Sequence, residues 1–463
     1  MSASIPIQHS QSYRIRRFLN WFPLGLTYAF LYMGRYNLTV SKNALGDLMT
    51  KEDFGIIFAA GTITYAFSFL INGPLTDRIG GKKAILIGAL GSALMNIIMG
   101  LTVRSMLLAG GELNIRLVFS VLYAANMYFQ SYGAVAIVKV NASWFHVRER
   151  GIFGGIFGIL ISLGIYFAFD WGYAIVQATK ATVETPLNFI QNALRSLLGI
   201  EGVGIDATWW VFFIPAGLLI IMFIIELFLL RDLPGQAGHQ DFDTGDASSG
   251  EEDAPFQLGL LLKKILTNKI ILTVAAIEFC SGVMRNGIMH WYPIYIKEEL
   301  LYGADHFMRA NWGLVLMLAG VTGGIFAGFV SDKVFGSRRG PVATLLYGLM
   351  LGGAVALIFS LDAPWYVLGF IVAFMSLSVI GVHGMLSGTA TMDFGGRKGA
   401  ATAVGLIDGF VYLGTGVQSL CLGFITTKSW SLWPPFLVPF ALIGLILAIR
   451  IWHAFPQAKR KGK

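Results

Sequence analysis

Phe30-Leu31-Tyr32-Met33-Gly34-Arg35-Tyr36-Asn37-Leu38-Thr39-Val40 closes an apolar run that opens near Phe18, and it places a guanidinium inside that run. About 20 apolar residues span the ~30 Å hydrocarbon core of a bilayer, so the run predicts a transmembrane helix carrying a charge. An arginine there costs about 2.5–3.5 kcal/mol on insertion scales and normally faces a bundle interior or a wet cavity. Position alone leaves a second reading open, because Arg35 stands about two turns from the expected helix end and could snorkel to the headgroups. A second arginine favours the interior. Arg285 follows Asn268, where the seventh apolar run opens, by 17 positions, as Arg35 follows Phe18 by 17. Two arginines at matching depths in matching helices predict a shared anion site.

Of the 463 residues 55% are hydrophobic and 13% charged, against about 25% charged in soluble domains. Apolar runs are expected at 18–41, 53–76, 82–103, 113–142, 149–177 and 207–230, then at 267–298, 308–332, 341–361, 364–391, 398–425 and 430–453. This is the pattern of an all-α polytopic membrane protein with twelve transmembrane helices; a β-barrel would show short alternating segments instead. The net charge of +8 does not indicate nucleic acid, because the basic residues are scattered between apolar runs. Cys280 and Cys421 both fall in apolar runs and imply neither a disulfide framework nor a metal site. Arg14, Arg16 and Arg17 precede a full-length span without a small-residue cleavage site, so the first helix is expected to be its own insertion signal. No nucleophile–base constellation, metal-ligand spacing or nucleotide loop occurs. An enzyme is not expected, nor a cofactor.

Twelve spans put both termini on one side. That side collects Arg14, Arg16, Arg17, Arg78, Lys82, Lys83, Arg148, Arg150, Lys263, Lys264, Lys333, Arg338, Arg339, Arg397, Lys398 and the Lys459-Arg460-Lys461 tail, which predicts cytoplasmic termini. The segment from Arg231 to Pro255 is polar, holds the acidic run Glu251-Glu252-Asp253, and is expected to lack a packed core. The chain therefore divides into a six-helix bundle over 1–232, a cytoplasmic loop over 233–258 and a second six-helix bundle over 259–463. In the outer loop between spans five and six, Leu187, Ile190, Leu194 and Leu197 share one helical face and predict a helix lying on the outer leaflet, an anchor or a lid.

Gly73-Pro-Leu-Thr-Asp77-Arg78-Ile-Gly80-Gly81-Lys82-Lys83 sits between spans two and three, and Gly328-Phe-Val-Ser-Asp332-Lys333-Val-Phe-Gly336-Ser-Arg338-Arg339 between spans eight and nine. Positive-inside charge and turn glycines alone do not explain the Gly-x-x-x-Asp-Arg/Lys pattern appearing twice at corresponding places. The pattern resembles the signature loop of the major facilitator superfamily. The resemblance implies two six-helix halves related by a pseudo-twofold axis along the membrane normal, substrate between them near the midplane, and Gly73, Asp77, Arg78, Asp332 and Lys333 as elements of the conformational loops. Glycines dense in spans five, eight and eleven, such as Gly158, Gly164, Gly323, Gly328, Gly405 and Gly414, are explained by close helix packing, with spans five and eight meeting across the halves.

Further stretches resemble the organophosphate:phosphate antiporter family of glycerol-3-phosphate and hexose-phosphate transporters. They are Tyr32-Met33-Gly34-Arg35-Tyr36-Asn37; Phe129-Gln130-x-x-Gly133 followed by Trp144-Phe145-x-x-Arg148-Glu149-Arg150-Gly151; and Met284-Arg285-Asn286-Gly287-x-x-x-Trp291-x-Pro293-x-Tyr295-x-Lys297-Glu298. Gly381-x-His383, Arg397-Lys398-Gly399-Ala400-Ala401 and Tyr412-Leu413-Gly414 extend the resemblance through spans ten and eleven. It implies that Arg35 and Arg285 hold the phosphate of a substrate and the inorganic phosphate exchanged for it. Arginine suits that role because its planar fork donates parallel hydrogen bonds to an oxyanion and stays ionised when buried. Two facing arginines repel in an empty site and a dianion removes that cost, which is a physical reason for obligatory exchange.

The sequence departs from the family pattern at Phe69, where a span-two lysine is usual, at Ser143 for a span-four histidine, and at Gly158, Ile161 and Ser162 for polar residues. Lys139, one turn before Ser143, could supply a cation to the substrate or serve only the cytoplasmic end of span four. Tyr36, Asn37 and Asn286 flank the arginines and complete the candidate substrate contacts. Asp408 and Glu278 lie in apolar runs, where an acid can pair with an arginine or carry a proton, or make a local hydrogen bond. Asp393 is expected to meet Arg397 or Lys398, and His290 and His383 to be hydrogen-bonded packing residues. The expectation is a monomeric, multi-pass transporter of the bacterial inner membrane that exchanges a small phosphorylated organic anion for inorganic phosphate by alternating access. Two alternatives stay open: a transporter-like sensor of a phosphate ester, and a proton-coupled transporter of another organic anion.

Overall fold

The computed structural model describes residues 9–109, 113–146, 150–181, 187–202, 204–242, 244, 267, 269–335 and 339–453, with backbone only at 109, 150–157, 270, 271, 332 and 387–404. Most of the interdomain loop therefore lies outside the described residues, as do Arg148, Glu149 and Arg338. The side chains of Asp332, Asp393, Arg397 and Lys398 are outside them too.

Every regular element among the described residues is helical, and the helices form the two six-helix bundles expected of the apolar pattern. Spans one to six run Gln11–Leu45, Lys51–Ile79, Gly81–Ala109, Ile115–Trp144, Arg150–Tyr166 continued by Gly172–Thr179, and Trp210–Leu229. Spans seven to nine are Lys269–Met289 continued by Trp291–Glu298, Trp312–Phe329, and Arg339–Ile358. A single helical run Trp365–Lys428 carries spans ten and eleven, and Trp433–Arg450 is span twelve. Nine stretches among the described residues are long and apolar enough by themselves to cross a membrane. Spans one, four and seven are not among them. They carry the buried polar residues Arg35, Asn37 and Thr39, then Asn126, Gln130 and Ser131, then Glu278, Arg285 and Asn286. Polarity of that kind is tolerated at membrane depth only where protein, not lipid, surrounds it.

Local chemistry sets the ends. Span one begins where the Ser10 hydroxyl accepts from the Tyr13 N–H, and span two where Thr50 and Asp53 cap each other reciprocally. Span two stops at Gly80, whose φ of +91° excludes a β-carbon, and Asp232 then accepts from the Lys82 N–H at 2.8 Å to cap span three. The outer-loop helix forms at Phe189–Leu197 with Phe189, Ile190 and Leu197 exposed, the apolar face expected of a helix lying in a membrane interface.

The two bundles meet along spans two and eleven. A β-carbon at Gly55 would stand 2.7 Å from the Ser419 carbonyl, and one at Gly405 would stand 2.8 Å from that of Phe69, so both contacts require glycine. Spans five and eight also meet across the halves, as their glycines imply, with Gly320 against Ser162 and Gly313 against Tyr166. At the face opposite the one where span one starts (the distal face), polar contacts pin the halves together. Lys42 pairs with Glu298 at 2.6 Å, Lys297 donates to the Asn43 carbonyl, Lys51 to the Thr426 carbonyl and Tyr173 to the Ala304 carbonyl. A π-helical turn at Phe167–Trp171 interrupts span five. Asp170 in that turn accepts from the N–H groups of Gly313 and Leu314 at 2.6 and 2.9 Å, so an acid of one half caps the first helical turn of span eight in the other.

Candidate functional site

Arg35 is fully buried, and each of its three nitrogens donates to a protein acceptor. Its Nε donates to Gln130 Oε1 at 2.9 Å, Nη1 to the Tyr412 hydroxyl at 2.8 Å and Nη2 to the Tyr65 hydroxyl at 2.8 Å. The guanidinium also lies over the rings of Tyr32 and Tyr65, at 4.8 and 4.5 Å from their centroids. Gln130 is fixed in turn, since its Nε2 donates to Ser92 Oγ, which donates to Asn126 Oδ1. The charge rejected by lipid is thus held by neutral acceptors and aromatic faces rather than by a carboxylate. The interior reading of Arg35 stands, and snorkelling does not.

Arg285 comes from the other half and lies 5.9 Å from the centroid of the same tyrosine, Tyr412, while Arg35 is 5.8 Å from it. Its Nε and Nη2 are buried without a hydrogen-bond partner among the described residues. Those two nitrogens form the side-on edge that grips an oxyanion with two parallel bonds. Burying such donors unpaired is costly, so this edge is the part of Arg285 open to a hydrogen-bond acceptor. Tyr36 packs beside the pair, with its ring 4.7 Å from His290 and 5.9 Å from the Arg35 guanidinium.

Three candidate contacts are placed elsewhere. Asn37 turns into its own bundle, its Nδ2 donating to Asn96 Oδ1 at 2.7 Å and to the Val211 carbonyl. Asn286 ties span seven to span eleven by donating to Thr415 Oγ1 at 2.8 Å. Lys139 pairs with Asp77 at 2.9 Å, so it serves the loop motif between spans two and three and not the arginine pair. The remaining loop residues Gly73 and Arg78 lie at the same end of span two, and Lys333 is exposed beyond span eight. Asp408 stands one turn before Tyr412 within electrostatic reach of Tyr65, and Glu278 is buried against His383. Among the described residues the ring of Phe69 has no guanidinium lying over it. It packs edge-on under Tyr65 at 4.5 Å and against Tyr412 at 6.1 Å, supporting the two tyrosines that hold Arg35. His290 joins the halves as a packing residue should, with its Nδ1 2.7 Å from Thr39 Oγ1.

Sequence reasoning passed over Tyr65, Gln130 and Tyr412 as ligands of Arg35. Their signal was one helical turn of spacing: Tyr65 precedes Phe69 by four residues and Tyr412 follows Asp408 by four.

Comparison with known proteins agrees with this architecture. The family model described as Major Facilitator Superfamily matches residues 24–419. A glycerol-3-phosphate transporter of Bacillus subtilis (strain 168) is 25% identical, the match covering 97% of this chain and 95% of that protein. A probable hexose phosphate transport protein of Chlamydia trachomatis is 26% identical over 97% of this chain and 94% of that one. The membrane sensor protein UhpC of Escherichia coli (strain K12) is 24% identical over 92% and 89%. In overall shape the chain matches the crystal structure of a bacterial homologue of the human lysosomal transporter Spinster, inward-facing and unoccupied, with a TM-score of 0.71 at 14% identity, covering 97% of this chain and all of that one. A membrane transporter rather than an enzyme, the chain belongs to the Major Facilitator Superfamily.

Proposed function

We propose that the chain exchanges a phosphorylated organic anion, such as glycerol 3-phosphate or a sugar phosphate, for inorganic phosphate by alternating access. The observation that carries the proposal is the pair Arg35 and Arg285, one from each half, at 5.8 and 5.9 Å from the Tyr412 ring centroid, with the side-on edge of Arg285 unpaired among the described residues. An anion bound between the halves adds an attraction that draws them together around it, and releasing it empties a site that repels itself until another anion enters. Tyr36 completes the set we assign to substrate. In this reading residues 1–232 and 259–463 are the moving halves, 233–258 links them on the cytoplasmic side with both termini, and the working unit is a monomer in a bacterial inner membrane.

Counterflow tests it. Proteoliposomes loaded with phosphate should accumulate labelled glycerol 3-phosphate or hexose phosphate, and empty ones should not. Binding without flux would favour a sensor, a reading supported by the similarity to a membrane sensor protein. Uptake that ignores internal phosphate but follows a proton gradient would favour a proton-coupled transporter.

Asp77→Asn removes the partner of Lys139 without altering the arginine pair. A partly buried ion pair contributes about 1–2 kcal/mol to the state that holds it, roughly 5–30-fold in that state's population. Exchange should slow by that order while phosphate affinity stays within about twofold; equal losses in rate and affinity would place the loop's influence at the site itself.

The aromatic at position 69 supplies a second check. Phe69→Lys puts an ammonium beside Tyr65 and Tyr412, close to where the anion would lie. If the ligand is a phosphate dianion, inhibition of uptake by phosphate should tighten several-fold or at least persist. A monoanionic ligand would leave the new cation uncompensated, and both binding and thermal stability should fall. Absence of phosphate inhibition in both proteins would reject the organophosphate reading.

A further inference from the structure

In the second half, away from the arginine pair, an acid and an imidazole are buried together. Glu278 on span seven is fully buried, and one of its oxygens lies 2.8 Å from His383 Nδ1 on span ten. Its other oxygen, Oε1, has no partner among the described residues. His383 keeps 22% of its side chain exposed and stands two residues before Met385, whose carbonyl Arg339 approaches at the face where span nine begins. The pair is therefore fully buried at its acid end and partly exposed at its imidazole end, three residues before the end of the apolar part of span ten. Packing alone would not select these two residues, since an uncharged hydrogen-bonding pair of similar volume would fill the space without a buried carboxylate.

We propose that Glu278 and His383 form a proton-binding site whose occupancy is linked to anion binding at Arg285. In the deprotonated form the neutral imidazole donates from Nδ1 to the carboxylate, and the pair carries one negative charge. A proton from the water phase at the face where span nine begins adds to His383 Nε2, giving an imidazolium–carboxylate pair with no net charge. No covalent bond changes, and the proton returns by the same path. Glu278 and Arg285 are seven residues apart on one helix, two turns on the same face, so about 10.5 Å of rise separates their levels. Anion and carboxylate therefore compete for the same guanidinium field, and neutralising the pair by protonation strengthens the hold on the anion, roughly tenfold at about 10 Å. Thermodynamic reciprocity then requires anion binding to promote proton uptake. Among the described residues the titratable and charged groups within electrostatic reach of Glu278 are Cys280 and Arg285 on its own helix and Tyr347 from span nine, whose hydroxyl donates to the Ile277 carbonyl at 2.7 Å.

The linkage rests on Arg285 being an anion ligand, and two measurements on the full-length protein separate the two ideas. The first needs no ligand. The infrared difference spectrum between about pH 6 and pH 8.5 should contain a carboxylate band that Glu278→Gln removes and His383→Asn shifts, because a second charge forms on its partner. A spectrum unchanged by both substitutions overturns the proton site whatever the anion site does. The second is calorimetry with glycerol 3-phosphate at pH 7.5, where a phosphate monoester, with a second ionisation near pH 6, is almost wholly dianionic. Heats measured in two buffers of different ionisation enthalpy should show fractional proton uptake by the wild type and none by either variant, with the wild-type affinity gaining roughly tenfold over Glu278→Gln as pH falls from 8.5 to 6. Equal uptake in all three proteins overturns the linkage. Absence of binding heat with the infrared band intact rejects the anion-site reading alone.

Discussion

Arg285→Lys should abolish the thermal stabilisation that phosphate gives the wild-type protein without lowering the melting temperature of the ligand-free form. Lysine keeps the charge but loses the planar edge, and the edge formed by Nε and Nη2 is the part of Arg285 that no described residue satisfies. Removing one partner of a desolvated, charge-assisted hydrogen-bond pair costs about 2–5 kcal/mol, roughly 30-fold to several thousand-fold in affinity. Stabilisation by a ligand grows only as the logarithm of its concentration over Kd, so a loss of that size removes the shift at millimolar phosphate. Arg35→Lys should weaken binding as well, but through a different ledger. Its three donors hold Gln130, Tyr412 and Tyr65, so the substitution leaves buried acceptors unpaired and lowers the ligand-free melting temperature too. Near-native phosphate affinity in either variant would remove that arginine from the site. The contrast between the two ligand-free stabilities tests whether one arginine is already satisfied and the other waits for an anion.

How far the sequence carried the site depended on what kind of signal each residue gives. Charge inside an apolar run is conspicuous because its cost in lipid is large, so Arg35 and Arg285 stood out, and their matching depths favoured the interior over snorkelling. The span count was legible from the apolar runs, although the helices of spans one, four and seven, which carry buried polar residues, are not among the nine stretches apolar enough by themselves to cross a membrane. Neutral polar residues are quieter. Tyr65 and Tyr412 pass as apolar, and nothing in a linear pattern says that their hydroxyls meet one guanidinium from two different halves. Helical phase decided Asn37 and Asn286: both neighbour an arginine in sequence, and about 100° of rotation per residue points each into its own bundle. Lys139 was drawn to Asp77, a pairing 62 positions long that loop spacing does not encode. Asp170 and Glu226 were overlooked among the acids of the apolar runs. Asp170 reaches span eight because a π-helical turn changes its direction, a feature without a sequence signature, and Glu226 accepts from Thr27 at 2.7 Å within the first bundle.

The distal contacts carry the second large effect. Glu298→Gln should shift the protein toward a conformation opened at that face. Lys42 is 2% exposed and its ammonium lies 2.6 Å from Glu298 Oε1, whereas Glu298 itself is 25% exposed. The substitution therefore keeps a hydrogen-bond acceptor but leaves a buried cation without its counter-charge, and the remaining neighbours do not replace it. Lys51 is a second cation near the same carboxylate at 3.8 Å with Glu299 also within its electrostatic reach, and Lys297 donates to the Asn43 carbonyl next to Lys42, so Glu298 is the acid that the buried Lys42 ammonium depends on. A charged hydrogen bond is worth about 1.5–3 kcal/mol, which here belongs to the state with the halves together at that face. Lost from one state only, it changes the ratio of the two states by roughly 10–150-fold. Spin labels on the distal ends of spans one and seven should report longer distances in Glu298→Gln, and exchange should slow because the substrate site closes from that side less often. Exchanging the charges as Lys42→Glu with Glu298→Lys restores one pair but sets the acid at a buried position, so a partial return of the short distance is the expected result. Unchanged distances in Glu298→Gln would mean that spans two and eleven, with glycine contacts along their length, hold the distal face without help from these charges.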